Sequence, residues 1–396
     1  MSNFVFNRRQ FIGATAGAAG ASFLPLNAMA QPALPKAPVV LNVVDGAGDL
    51  ALTQRIFDNY RAAKPHLVSK FTFTKAPQPE IPSKLKAQQA ANRVDIDLVL
   101  TAYDGLSLGT EQGVYQQLLP AFAGALPKLD EIYVEGARKV QVMMKGYGVV
   151  VTYCPYGPLL EYMPDRVKNV PTTAEELLAW TRANKNRFFY ARAANSGPSR
   201  SFLMGLPYIL GDANPKDPVK GWDKTWAYLK ALGENIEYYP SGTSAVMKEF
   251  GEGSRDLIPS STGWDINPRA LGVVPKEARI ATLKGFHWMS DVHCWCVPKG
   301  VSDDKLAVIL DLMSFMLTKQ QQAITYDKGY SYPGPAVKGV GVELAPAESQ
   351  QVIKEFGRPE YDALIANNPH ETPLEPAAQV AAFRRWDEEI GAAKRQ

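Results

Sequence analysis

Apolar and polar positions alternate between two periods along the chain, and each period predicts an element. Residues 39–44 form a mostly apolar run, read as a strand, that stops at Asp45-Gly46-Ala47-Gly48-Asp49, a turn-forming loop. Leu50, Leu52, Ile56, Phe57 and Tyr60 then fall on one helical face, which ends before Pro65. Alternation over 67–74 predicts a second strand, 82–92 a helix, and 97–101 a short buried strand running into the polar loop 102–105. Strand, loop, helix and strand in this order predict an α/β unit with parallel strands. Ligands of such sheets sit beyond the carboxyl ends of the strands, so the loops 45–49 and 101–105 become binding candidates.

A second α/β pattern follows the β run at 146–153, itself followed by Pro155 and Gly157. It comprises a helix over 172–184 capped by Thr172 or Thr173, a short strand at 188–191, and a helix from Arg200 to Ile209 capped by the loop 195–199. Next come an amphipathic helix over 220–233, a strand entering Trp264-Asp265, and a strand over 291–298. A long helix from 303 to about 326 and a terminal helix over 376–394 complete the chain. The return strand at 291–298 is far in sequence from the first unit, so the chain is expected to pass between two lobes more than once.

The N-terminus fixes the compartment. Asn7-Arg8-Arg9-Gln10-Phe11-Ile12-Gly13, a short Ala/Gly-rich apolar stretch and Ala28-Met29-Ala30 read as a secretory signal with the paired arginines of the twin-arginine route. The alternative is a general secretory signal with two adjacent arginines. Residues 1–30 are thus expected to be removed, leaving a periplasmic protein that begins at Gln31. The whole chain carries a net charge of +3; losing Arg8 and Arg9 lowers it to +1. That balance offers no electrostatic footprint for nucleic acid. The remaining length exceeds one ordinary core and predicts two domains. Cys154, Cys294 and Cys296 form an odd set in an oxidising compartment, and either a bridge from Cys154 or three free thiols is compatible with the sequence.

Four acids, Asp45, Asp104, Asp265 and Asp291, fall at strand ends near Tyr103, Trp264 and Trp288. Carboxylates beside aromatic faces suit an amine; the plainer reading is that each aspartate caps a turn or helix. Ser196 and Arg200 point the other way, because hydroxyls, free N–H groups and a guanidinium at a helix start suit a carboxylate or phosphate, with Arg269 in reach. Both signals together describe a zwitterionic solute. His287, Asp291, His293, Cys294 and Cys296 are dense enough to raise a metal site, but strand alternation turns His293 away from the two cysteines. Tyr238-Tyr239, the one adjacent tyrosine pair, raises a ferric-ion reading. No nucleophile elbow, zinc-protease helix, phosphate loop or complete dinucleotide fingerprint is present. An exported enzyme is therefore the minor alternative, and no cofactor is expected.

The order of these segments resembles the type II periplasmic solute-binding proteins of bacterial ABC transporters, most nearly the spermidine/putrescine-binding branch. The residues that carry the likeness are the opening strand with its loop, the run 146–153, Phe286–Asp291 leading into Trp295-Cys296-Val297-Pro298-Lys299-Gly300, and helix 303–326 followed by Gly329-Tyr330-Ser331-Tyr332-Pro333. The resemblance implies two α/β lobes joined by crossing hinge strands, with a ligand cleft between them. It places residues 31–150 with 292–318 in one lobe and 151–291 with 319–396 in the other. It implies a small-molecule solute and a membrane permease as partners, and a monomer. Where the family has aromatic residues in its first loop, this chain has Asp45 and Gly48. The other cleft positions carry over to Thr101 and Tyr103, to Trp264 and Asp265, to Trp288 and Asp291, and to Tyr330 or Tyr332.

Overall fold

The computed structural model describes residues 32–394; the signal segment expected at 1–30 lies outside them. Strands β1 (Val39–Asp45), β2 (Val68–Lys75) and β3 (Leu98–Ala102) are parallel, with β1 between the other two. The sheet continues with β4 (Val149–Gly157), while β5 (Leu159–Tyr162), β6 (Leu257–Ser260) and β7 (Arg279–Ala281) form a second sheet in the order β6-β5-β7. Strand β8 (Trp288–Cys296) returns to the first sheet and inserts, antiparallel, between β3 and β4. The short β9 (Gly334–Pro335) pairs with β4, and β10 (His370–Glu371) with the start of β8.

This insertion joins two cores. One gathers Leu41, Val43, Phe57, Leu100, Val150, Trp295 and Met313; the other gathers Phe188, Tyr190, Phe202, Trp222, Trp226 and Trp386. Strand β4 has Val149–Val151 in the first core and passes through Pro158 into β5, whose Leu160 lies in the second. Strand β8 runs the opposite way, with Met289 in the second core and Val292, Cys294, Trp295 and Cys296 in the first. The architecture is the expected one: two α/β lobes joined by crossing strands.

Some elements differ from the pattern-based expectation for local reasons. The helix expected over 303–326 stops at Met316. Thr318 is extended, and its hydroxyl donates to the Phe315 carbonyl (2.8 Å), a side-chain bond that competes with continuing the helix. The chain then resumes as a short turn that aims buried Gln322 at the sheet. Its amide donates to Val151 O (2.9 Å) and its carbonyl accepts from Ala336 N (2.8 Å). Ala323, Tyr326, Ala336 and Val337 consequently pack into the first core. Residues 188–191 are extended but join a sheet only through one bridge, Phe188 to Leu257. All three cysteines are free thiols and buried. Among the described residues no helix is long and apolar enough to cross a membrane.

Candidate functional site

Between the cores lies a cavity of about 470 Å³ whose floor is the pair of crossing strands. Alternation on β4 turns Thr152, Cys154 and Tyr156 to this face, and on β8 it turns Asp291 and His293 there. Near Tyr156 the β4–β8 register shifts, and Tyr156 itself takes φ = +68°, a conformation rare for a bulky residue. The irregularity re-aims its ring into the cavity, a common use of such strand defects. On the first-core side the walls are Gly46, Ala47, the segment 77–80, Ala102 and Asp104. Opposite are Asn195, Ser196, Gly197, Arg200, Thr243 and Trp264, with Tyr330 and Ser331 closing one end.

The polar centre is a clamp. Arg200, on the helix Gly197–Ile209, donates from one amino group to Asp104 Oδ2 (2.8 Å) and from the other to Asp291 Oδ2 (2.7 Å). Burial opposes the guanidinium's charge, but the two carboxylates outweigh it and raise its pKa further above the usual arginine range. Asp291 Oδ1 accepts from its neighbour Val292 N (3.0 Å), whereas Asp104 Oδ1 has no partner within the protein. Glu80 lines the exposed rim, where its carboxylate pairs with Lys84 (3.5 Å). At the floor, His293 Nδ1 lies 2.9 Å from Thr152 Oγ1 and 3.8 Å from Asp49 Oδ1. Asp49 is fully buried, accepts from the Trp295 indole (2.7 Å), and is pushed up to about 6 by burial, with nearby His293 partly opposing the shift. Burial likewise pushes the Cys154 thiol and the Tyr156 and Tyr330 phenols up. Trp264 and Tyr330 meet edge to face at 5.8 Å.

Six residues predicted from sequence therefore line the cavity together: Asp104, Ser196, Arg200, Trp264, Asp291 and Tyr330. The other five do not, each for a visible reason. Asp45 accepts from the N–H groups of Ala47, Gly48, Asp49 and Leu50, at 2.9 to 3.2 Å, and so caps the helix Leu50–Ala63. Thr101 is buried and donates to Gln78 Oε1 (3.1 Å). Tyr103 is buried and borders a separate chamber of about 20 Å³ behind Arg200. Asp265 is fully buried in an ion cluster, accepting from Arg269 (3.0 Å), Arg358 (2.6 Å) and the Tyr361 hydroxyl (2.6 Å). Burial works against its charge, yet the arginines hold the carboxyl below its ordinary range. The same cluster removes Arg269 from any anion site. Trp288 is fully buried, packs on Phe286, and donates its indole N–H to Leu364 O (2.9 Å).

Tyr156, Cys154, Thr152 and Gln78 were not anticipated. Alternation in the β run carried the signal for Thr152, but Pro155 disguised the continuation to Gly157. Among the described residues no three His, Cys, Asp or Glu are placed to hold a metal ion. His287 sits instead against Glu371 (3.2 Å), stacked on Tyr208. Tyr238 bonds to Glu249 and Tyr239 packs on Tyr190 and Trp386, so neither reaches the cavity.

The sequence profile of the family described as bacterial extracellular solute-binding protein matches residues 56–351. No curated protein sequence matches the chain. Solved structures do. An ABC transporter protein from Clostridium perfringens superposes with a TM-score of 0.63 at 16% identity, covering 90% of this chain and 100% of that one. A periplasmic thiamin-binding protein gives 0.60 at 16% identity, with 92% and 100% covered. The apo ferric-ion-binding protein A of Pasteurella haemolytica gives 0.59 at 14% identity, with 88% and 97% covered. At such identities the likeness is one of fold.

Proposed function

The chain belongs to the bacterial extracellular solute-binding proteins, and on that premise we propose that it is the periplasmic receptor of an ABC importer, capturing a small amine-bearing solute and delivering it to a membrane permease. The observation that carries the choice of solute is the charge at the cavity's centre: two carboxylates, Asp104 and Asp291, share a single guanidinium, Arg200. Because Arg200 already serves two of these carboxylates, it is poorly placed to anchor a solute's anion, and the zwitterionic reading loses its second half. A cation suits the remaining negative charge, and the faces of Tyr156, Trp264 and Tyr330 suit the same cation. On this reading the ligand residues are Asp104, Asp291, Tyr156, Trp264 and Tyr330, with Ser196 and Arg200 shaping the wall.

The lobes would be the two packed cores, hinged where β4 and β8 cross, and closure on the solute would shift an existing open–closed equilibrium. Isothermal titration of the protein lacking residues 1–30 tests the solute class with amines, thiamine-like cations, amino acids and organic acids. Binding confined to cations and weakened at least about tenfold in Asp291→Asn is expected, about 1.4 kcal/mol of lost affinity. Tight binding of organic acids with no response to cations would reject the amine.

A further inference from the structure

Beyond Asp104 the cleft has a neighbour. A crevice of about 440 Å³ shares Gln78, Pro79, Asp104 and Ala194 with the main cavity. Its other walls set an apolar face inside a charged margin of exposed Arg384 and Glu388 and of Asp387, which pairs with Arg192. Leu108, from the helix Tyr103–Glu111, faces Val380 and Phe383, from the helix Pro376–Trp386, and all three are half-buried apolar side chains. The first helix packs into the first core through Leu106, while Ala382 of the second helix lies in the other core. The crevice thus exists only where the two lobes meet, and a group lodged in it touches both.

Asp104 stands in the wall between the two spaces. It is 6% exposed; Oδ2 is held by Arg200, and Oδ1 has no donor within the protein. A buried carboxylate oxygen without a donor is costly, and a ligand N–H supplies what it lacks. We propose that the solute is an amphipathic cation. Its ammonium donates to Asp104 Oδ1, and its apolar portion enters the crevice against Leu108, Val380 and Phe383. This rests on the cation reading above and adds a second, apolar subsite to it.

The test is calorimetric titration of n-alkylammonium ions, ethyl to octyl, and of the matching n-alkanols, against wild type, Leu108→Gln and Val380→Gln. The two variants lie on different lobes, and thermal melts identify any that fails to fold. In wild type the ammonium affinity is expected to rise about threefold to fourfold per methylene, the factor given by roughly 0.8 kcal/mol per buried CH₂. Both variants are expected to flatten that rise while retaining ethylammonium binding. Ammonium ions that bind with no dependence on chain length would overturn the apolar subsite and leave the cation reading standing. A chain-length dependence unchanged in both variants would overturn it too, since the tail would then lie elsewhere. Alkanols that bind as tightly as the ammonium ions, with a slope lost in the variants, would overturn the cation and leave the apolar subsite. Absence of binding in both series would overturn the proposal as a whole.

Discussion

At the scale of single residues, Arg200 is the joint on which the cleft depends. Its side chain is 15% exposed and holds two aspartates that would otherwise face each other. Removing one member of a buried charge set leaves the rest uncompensated, so Arg200→Ala is expected to cost about 3 kcal/mol in urea unfolding. Trp264 offers the cavity a face rather than a charge; Trp264→Ala is expected to weaken solute binding at least about tenfold by calorimetry while the unfolding midpoint stays near wild type. Glu161 is a different kind of residue. It is fully buried, neither carboxyl oxygen has a hydrogen-bond partner, and burial, with Asp265 adding to it, pushes the group up to about 8. The folded protein therefore holds a proton that the unfolded chain releases near its ordinary pKa of about 4.3. Stability is full below that value and falls as pH rises toward 8, with a slope of up to about 1.4 kcal/mol per pH unit. Glu161→Gln is expected to flatten that slope in melts recorded from acid to neutral pH. None of this was legible in the sequence, because burial of a lone glutamate on a short strand leaves no pattern. Asp45 and Asp265 show the converse: their types and positions read as ligands, and only the three-dimensional partners reveal a helix cap and an ion cluster. Asp104 and Asp291 had the same sequence credentials and do reach the cavity.

At the scale of elements, apolar periodicity located most strands and helices, because those faces are what the cores bury. It was weakest where a side-chain hydrogen bond decides a boundary, as at Thr318, or where proline suggests an end, as at Pro155. The helix Ala174–Ala183 shows a boundary that sequence does reveal. Thr173 Oγ1 accepts from Glu176 N (3.2 Å), and the Glu176 carboxylate accepts from Thr172 N (2.8 Å), a reciprocal capping arrangement. Accepting from the Thr172 N–H and from the Thr172 hydroxyl (2.7 Å) also draws the Glu176 carboxyl below its usual range. Thr173→Ala is expected to lower stability by about 1 kcal/mol in denaturant unfolding, with solute affinity unchanged. Neither threonine lines the cleft, so an accompanying loss of binding would contradict the cap's purely local role.

At the scale of the molecule, the ion pair from Asp104 to Arg200 ties an element of the first core to one of the second. Asp104→Asn keeps the shape and removes the charge, so the solute-free protein is expected to open. A larger radius of gyration than wild type in small-angle scattering would register this. The two-lobed plan was legible from segment order, since a return strand far along the chain has to cross back. The crevice beside Asp104 was not, because it is made by helices 265 residues or more apart in sequence, and no local pattern announces such a meeting. The cysteines add a practical consequence. Cys294 and Cys296 are sealed in the first core; Cys154 borders the cleft, yet it is 4% exposed and burial raises its thiol pKa. Native sulfur is therefore a poor target for maleimide at neutral pH. A single thiol placed on the exposed cleft rim by Glu80→Cys would accept an environment-sensitive dye almost alone, turning the protein into an optical reporter of solute entry.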